Sequence, residues 1–184
     1  CAVGVNSFVL ISGYFGITLS LGRVMRYWGQ CLWYAILGFL LVGGSWQSLL
    51  FPVSESGLWF VICYFALMLI SPLLNAGLSA LADNELYKAV GALLFCDVYL
   101  GYLHQTPALS ADGYDVFHLI CIYCVGGLIA RKQISLPHAG WWCIACFLLM
   151  TVPHGIKMVW SPMAAIYSLH HNAPMLILAS VLAF

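Results

Sequence analysis

Long apolar runs, separated by short polar connectors, make up most of this chain. The runs approach the roughly 20 residues that a helix needs to cross a bilayer. They lack the strict alternation of a membrane β-strand, and backbone groups in lipid must pair within their own segment, so we predict helices. The predicted spans lie near 2–21, 27–47, 58–78, 87–103, 115–130 and 139–153, with a seventh beginning near 172. The pattern therefore predicts an all-α, polytopic transmembrane helical bundle of about six complete spans plus a truncated seventh.

Composition supports the same class. Of the 184 residues, 64% are hydrophobic and only 7% are charged, and the mean hydropathy is +0.99. A soluble domain has about 25% charged residues, so this chain is too poor in charge to cover a surface in water. The net charge is zero, which gives no basic footprint for nucleic acid. We expect residues 1–184 to form a single transmembrane domain, a fragment of a longer membrane protein cut at both ends.

The basic residues predict an orientation. Five of them fall in one set of alternate connectors, and Lys157 is the one basic residue in the opposite set. The five are Arg23, Arg26, Lys88, Arg131 and Lys132. Because cytoplasmic connectors carry the excess of Lys and Arg, we expect this set to face the cytoplasm and residue 1 to lie outside. The predicted location is the plasma membrane (the inner membrane, where a cell has two), and the arginines could be topology anchors alone.

Four cysteines have the spacing of a zinc site. Cys121, Cys124, Cys143 and Cys146 form a C-x2-C-x18-C-x2-C pattern. Both pairs lie in apolar segments, where four thiolates would be costly to bury. We therefore interpret these cysteines as small packing residues and expect no bound metal and no disulfide framework.

Asp97 is an acidic residue inside a predicted span, about six residues from its outer end. Carboxylates at membrane depth are expensive and usually face a cavity or a partner. His104 follows seven residues later, on the same face of a regular α-helix, and His118 begins the next span. We predict an outward-facing cluster of Asp97, His104 and His118 that binds substrate or a proton; the alternative is a structural polar contact.

Glycines mark another feature of the spans. Gly13, Gly16, Gly126 and Gly127 lie within or beside apolar runs. Small residues allow helix backbones to approach closely in membranes. We interpret these four as positions of close helix packing.

Several segments, taken in order, resemble the membrane acyltransferase 3 family, whose bacterial members modify surface glycans. The first is "VNSFVLISGYFGI" followed by "RVMR", which is similar to the family's second span and the cytoplasmic loop after it. The others are "LWFVICYFALMLISPLLN", "GYDVFHLICIYCVGGLIAR" and "HNAPMLILASVLAF". Each segment is weakly specific alone, and their order is what carries the resemblance.

The resemblance implies an O-acyltransferase. It would transfer an acyl group, in most cases acetyl, from cytoplasmic acyl-CoA to a hydroxyl of a surface glycan or its lipid-linked precursor. Arg23 and Arg26 match the family's Arg-x-x-Arg element and would bind acyl-CoA, the donor substrate. The family's catalytic His is expected on a span before this chain, so the chain alone is expected to be inactive. No bound cofactor is implied.

The chemistry of acyl transfer suggests two further site residues, and the same polar residues allow two alternative functions. Planar guanidinium groups suit phosphates, and Ser12 and Tyr14 could donate hydrogen bonds to a developing oxyanion. The expected partners are acyl-CoA, a glycan or lipid-linked saccharide and the lipid bilayer. A transporter or flippase that moves a glycan precursor without chemistry, and a structural membrane subunit, are the alternatives.

Overall fold

The computed structural model describes residues 2–43, 46–53, 59–104, 113–133, 138, 140–146, 148–149 and 173–183. These residues form helices and connectors, without a β-strand among them, in agreement with the predicted all-α class. The α-helices are α1 (Ala2–Phe15), α2 (Leu21–Val42), α3 (Gln47–Leu50), α4 (Trp59–Ala80), α5 (Asp83–Phe95), α6 (Val116–Lys132) and α7 (Pro174–Ala183). A π-helix, the π segment (Cys96–Leu103), continues α5 directly. Residues 140–146 are also helical.

Two helices of the described residues are long and apolar enough to cross a membrane. They are α4 and the continuous helix Asp83–Leu103, which joins α5 to the π segment. The apolar parts of α1 and α7 are shorter, at 10–17 residues. The structure thus gives weak support to membrane association, and it does not confirm a bundle of six spans. Residues 139, 147 and 150–153 of the predicted sixth span, and residue 172 at the start of the predicted seventh, lie outside the described residues.

A non-helical segment separates α1 from α2. The first helix is therefore shorter than the predicted span 2–21, and the second begins and ends earlier than the predicted span 27–47. Gly16 has a φ of 71°, in the left-handed region that favours glycine, so α1 ends at Phe15. The chain is then non-helical to Ser20, whose side chain accepts a hydrogen bond from the backbone N–H of Arg23 and caps α2. Arg23 therefore lies in the first turn of α2 instead of continuing the first helix.

Helix α6 is the centre of the fold. Six consecutive residues, 121–126, are buried, which requires neighbours on every side of the helix. On one side α1 packs so closely that a Cβ at Gly13 would lie 2.1 Å from the carbonyl O of Tyr123. A Cβ at Gly126 would lie 2.3 Å from the carbonyl O of Leu10. The predicted close packing is confirmed at Gly13 and Gly126, whereas Gly16 serves as a backbone break.

The contacts of three helices with α6 give the direction of each relative to α6. Along α6, Cys121 contacts the backbone of Leu93 and the later residue Arg131 pairs with the earlier residue Asp83, so α5 is antiparallel to α6. Helix α4 is parallel to α6, because Tyr123 contacts Asn75 and Arg131 contacts Leu78. Helix α1 is also parallel to α6, because Asn6 contacts His118 and the later residue Ile17 contacts the later residue Tyr123.

This arrangement gathers five basic residues at one end, here called the basic end: Arg23, Arg26, Lys88, Arg131 and Lys132. Arg131 donates to the carbonyl O of Leu78 at 2.9 Å and of Leu81 at 2.8 Å, at the C-terminal end of α4, and pairs with Asp83 at 3.0 Å. Lys132 also pairs with Asp83. The alternate connectors therefore meet at one end, and the side of a membrane that this end faces stays a prediction.

Candidate functional site

Three buried polar side chains meet between α1, the π segment and α6. The His118 ring lies between two oxygens: Nδ1 is 2.8 Å from Asp97 Oδ2, and Nε2 is 3.0 Å from Asn6 Oδ1. His118 and Asp97 are 0% exposed and Asn6 is 1% exposed. A buried polar group is costly unless hydrogen bonded, so this contact ties the three helical elements together. We call the three residues the buried triad.

Local structure positions two members of the triad, His118 and Asp97. The side chain of Asp115 accepts a hydrogen bond from the backbone N–H of His118 at 2.9 Å, which starts α6 with the ring in its first turn. Asp97 lies in the π segment, whose wider turns are marked by the hydrogen bond from the His104 N–H to the Tyr99 carbonyl O. Short π-helical insertions often occur at functional sites.

The π segment also explains why His104 is not part of the triad. Seven residues return to the same face of an α-helix, but a π-helix takes more residues for each turn. His104 is exposed, and its ring packs edge-on against Tyr99 with centroids 4.7 Å apart. The expectation that His104 shares the face of Asp97 was therefore wrong. Its role in substrate binding stays a prediction without support from its position.

The structure brings two of the predicted site residues together and adds one that the sequence analysis missed. Asp97 and His118 are in contact, but they are fully buried instead of lining an open outward-facing cluster. Asn6 was overlooked because one amide in an apolar run resembles any other polar residue near a helix end. The signal that could have found it is the rule that polar side chains within apolar helices hydrogen bond across to another helix.

A second polar network holds the break between α1 and α2. The Tyr123 hydroxyl accepts from the backbone N–H of Ile17 at 2.8 Å and donates to Asn75 Oδ1 at 2.7 Å. Asn75 Nδ2 in turn donates to the carbonyl O of Ile17 at 2.9 Å. The three residues form a closed cycle of hydrogen bonds, which we call the Ile17 latch. It satisfies the backbone that Gly16 turns out of α1 and so fixes where α2 begins.

Arg23 and Arg26 lie in the first two turns of α2, three residues apart and exposed. Arg23 Nη1 donates to the carbonyl O of Thr18 at 2.8 Å, within the segment that the latch holds. Arg26 makes no hydrogen bond or ion pair with the described residues. Positive side chains are unfavourable at the N-terminal end of a helix, where the dipole is also positive, whereas an anion is stabilised there.

Ser12 and Tyr14, the predicted oxyanion donors, lie on the second half of α1. The Ser12 hydroxyl donates to the carbonyl O of Phe8 at 2.9 Å and lies 3.2 Å from the Tyr64 hydroxyl. Its proton is thus used within its own helix. The half-buried Tyr14 packs against the core and against Phe15, edge to face. Neither position tests the predicted role.

Two cysteines of the zinc-like pattern, one from each pair, donate hydrogen bonds to different helices. The Cys121 thiol donates to the carbonyl O of Leu93, and the Cys143 thiol donates to the carbonyl O of Ala179 on α7. Within the described ranges no three His, Cys, Asp or Glu side chains are grouped as metal ligands would be, and the seven described cysteines are free thiols. The absence of a bound metal stays a prediction.

Comparisons of the chain with the profiles of known protein families, with characterised proteins and with solved structures gave no match. The resemblance to membrane acyltransferases thus rests on the quoted segments alone.

Proposed function

We propose that the chain is part of an integral membrane O-acyltransferase of the acyltransferase 3 type. It would take an acyl group, most simply acetyl, from acyl-CoA at the basic end. The acceptor would be a hydroxyl of a surface glycan or its lipid-linked precursor, approaching from the opposite end. In this proposal all of the helices, including those shorter than a full span, belong to one multi-pass bundle in the plasma membrane.

The observation that carries the proposal is the Ile17 latch. Its three residues come from three different segments of the resemblance: Ile17 ends "VNSFVLISGYFGI", Asn75 ends "LWFVICYFALMLISPLLN", and Tyr123 lies in "GYDVFHLICIYCVGGLIAR". The three segments therefore meet in one cycle of hydrogen bonds, which is buried at Ile17 and partly buried at Asn75. The latch supports the interpretation that they form one functional unit.

The outer surface of the bundle supports a lipid environment. Large apolar side chains point outward along α2 and α4, among them Leu40 at 72%, Leu41 at 80% and Leu73 at 74% exposed. A protein surrounded by water rarely exposes apolar patches of this extent. Hydrocarbon around the helices would remove these side chains from water.

The donor site would be the N-terminal end of α2. The phosphates of CoA are anions, which the free N–H groups and the dipole of a helix N-terminus stabilise. Arg26 is available as a planar donor, and Arg23 has donors beyond the Nη1 that holds Thr18. An anion bound there would offset the unfavourable placement of two cations in the first turns of α2.

The first prediction tests this site by acyl-CoA affinity. The chain in lipid nanodiscs should bind acetyl-CoA, and the double change Arg23→Ala with Arg26→Ala should weaken binding about tenfold or more, since hydrogen bonds to charged groups are worth about 1.5–3 kcal/mol. Lysine at both positions should weaken binding less, because it keeps the charge and loses the planar donors. Equilibrium dialysis with labelled acetyl-CoA at low and high salt gives the affinities.

Lys88→Ala is the matched control, because Lys88 is an exposed cation of the basic end that pairs with Glu85. It should leave the affinity unchanged. Equal affinities for the wild type and all Arg variants would leave the arginines as topology anchors. No saturable binding by the wild type would favour the transporter alternative, which needs no acyl donor.

A further inference from the structure

The placement of the His118 ring determines how many protons the buried triad holds. Nε2 faces an amide oxygen, Asn6 Oδ1, which can only accept, so Nε2 carries a proton. The contact at Nδ1 joins the ring to the Asp97 carboxyl over 2.8 Å. A hydrogen bond there needs a proton on either Nδ1 or Oδ2, in addition to the proton on Nε2.

Charge balance leads to the same count. With one proton at Nε2 and one shared between Nδ1 and Oδ2, the ring and carboxyl together are neutral. Removing one proton leaves a net negative charge among side chains that are 0% exposed, which the apolar interior opposes. The ring would then keep its proton toward Asp97, and the bare Nε2 would need a donor. Asn6 can supply one by turning its amide so that Nδ2 replaces Oδ1.

The described residues place a few other titratable groups near the triad. Asp115, which caps α6, and Cys121 on α6 are each engaged with the backbone, and Cys96 precedes Asp97 in the π segment. Asp97 is the one that faces the ring from the π segment, and α1 contributes the neutral amide of Asn6. Among the described residues the nearest cation along these helices is Lys88, nine residues before Asp97, or about 13 Å of helix.

We propose that Asn6, His118 and Asp97 form a buried proton-binding site, in which one exchangeable proton is shared between the His118 ring and the Asp97 carboxyl and its loss turns the Asn6 amide. The ligand is a proton, and the site does not depend on the acyltransferase function. Because Asn6 belongs to α1 and His118 to α6, the proton also determines the hydrogen bond by which Asn6 joins these two closely packed helices.

The test is nitrogen NMR of the chain in lipid nanodiscs, with histidine and asparagine labelled with ¹⁵N. At pH 7 the His118 Nε2 should carry a proton, assigned by its loss in His118→Gln and unaffected by His104→Gln. When the pH is raised until the triad loses one proton, the side-chain amide signal of Asn6 should shift in the same step. The Asp97→Asn change keeps the shape of the side chain and should leave His118 with a single ring proton.

Two outcomes would overturn the proposal. A bare Nε2 in the wild type at pH 7 would mean that the pair holds one proton fewer than the geometry requires. An Asn6 amide signal that stays fixed while the triad loses its proton would show that loss of the proton does not turn the amide. Both results come from the wild-type chain, so they stand even where a variant fails to fold.

Discussion

At the scale of single residues, the Ile17 latch shows how few side chains position the proposed donor site. The backbone at Ile17 leaves α1 because of Gly16, and its N–H and carbonyl O would be buried without partners but for Tyr123 and Asn75. One hydroxyl serves both as acceptor and as donor in this cycle. Removing it leaves one donor and one acceptor without the partner they share.

Tyr123→Phe should therefore destabilise the fold by about 1–3 kcal/mol, the cost of leaving buried polar groups without partners. The ring remains, so the apolar packing is kept and the loss isolates the hydroxyl. Thermal unfolding in detergent measures the effect. Tyr34→Phe is the control, because Tyr34 is 73% exposed and its hydroxyl makes no hydrogen bond with the described residues. Equal unfolding temperatures for the two variants would show that the latch contributes nothing to stability.

Residue-level sequence reasoning identified Asp97 and His118 but missed their partner. A carboxylate and an imidazole in apolar segments are rare enough to stand out, and two neighbouring spans give them a common depth. Asn6 and Asn75 did not stand out, because amides are common near helix ends. What joins Asn6 to His118 is the parallel packing of α1 on α6, and that contact spans 112 positions in the chain, which no local pattern encodes.

At the scale of elements, apolar runs located some helices well and others poorly. The predicted spans 58–78 and 115–130 nearly coincide with α4 and α6, because polar residues bound those runs on both sides. The end of α1 within the first apolar run was not predicted. Glycine does not interrupt a pattern of apolar residues, and the pattern does not show that Gly16 has a positive φ. The π segment was likewise unpredictable, because no residue type is specific to its wider hydrogen bonds.

The crossing of α1 and α6 gives a prediction at this scale. Gly13→Ala and Gly126→Ala should each destabilise the fold by about 1–3 kcal/mol, because the added methyl group would meet a backbone carbonyl O that cannot move aside. Gly77→Ala and Gly91→Ala are matched controls within helices, where a Cβ has nothing within 4 Å. The controls should be neutral or slightly stabilising, since alanine favours helix. Unfolding in detergent measures all four, and a loss equal in both pairs would contradict the close crossing.

At the scale of the whole molecule, the described helices have two different ends. Cations gather at the basic end, and the buried triad lies toward the other. From His118 to Arg131 is 13 residues of α6, or about 20 Å, against a bilayer core about 30 Å thick. The order of the predicted spans and the basic residues in alternate connectors predicted this separation of the two ends, which is what the positive-inside rule requires. The packing that completes each end had to come from the structure.

We propose that the basic end binds acyl-CoA from the cytoplasmic side. A photoreactive acyl-CoA, which cannot cross a bilayer, tests it most directly when added to inside-out and right-side-out membrane vesicles containing the chain. Labelled peptides are then mapped by mass spectrometry. We expect saturable labelling of residues 16–30 in inside-out vesicles alone, competed by acetyl-CoA and lost with Arg23→Ala and Arg26→Ala together. Labelling from the outer face, or none that acetyl-CoA can compete, would contradict it.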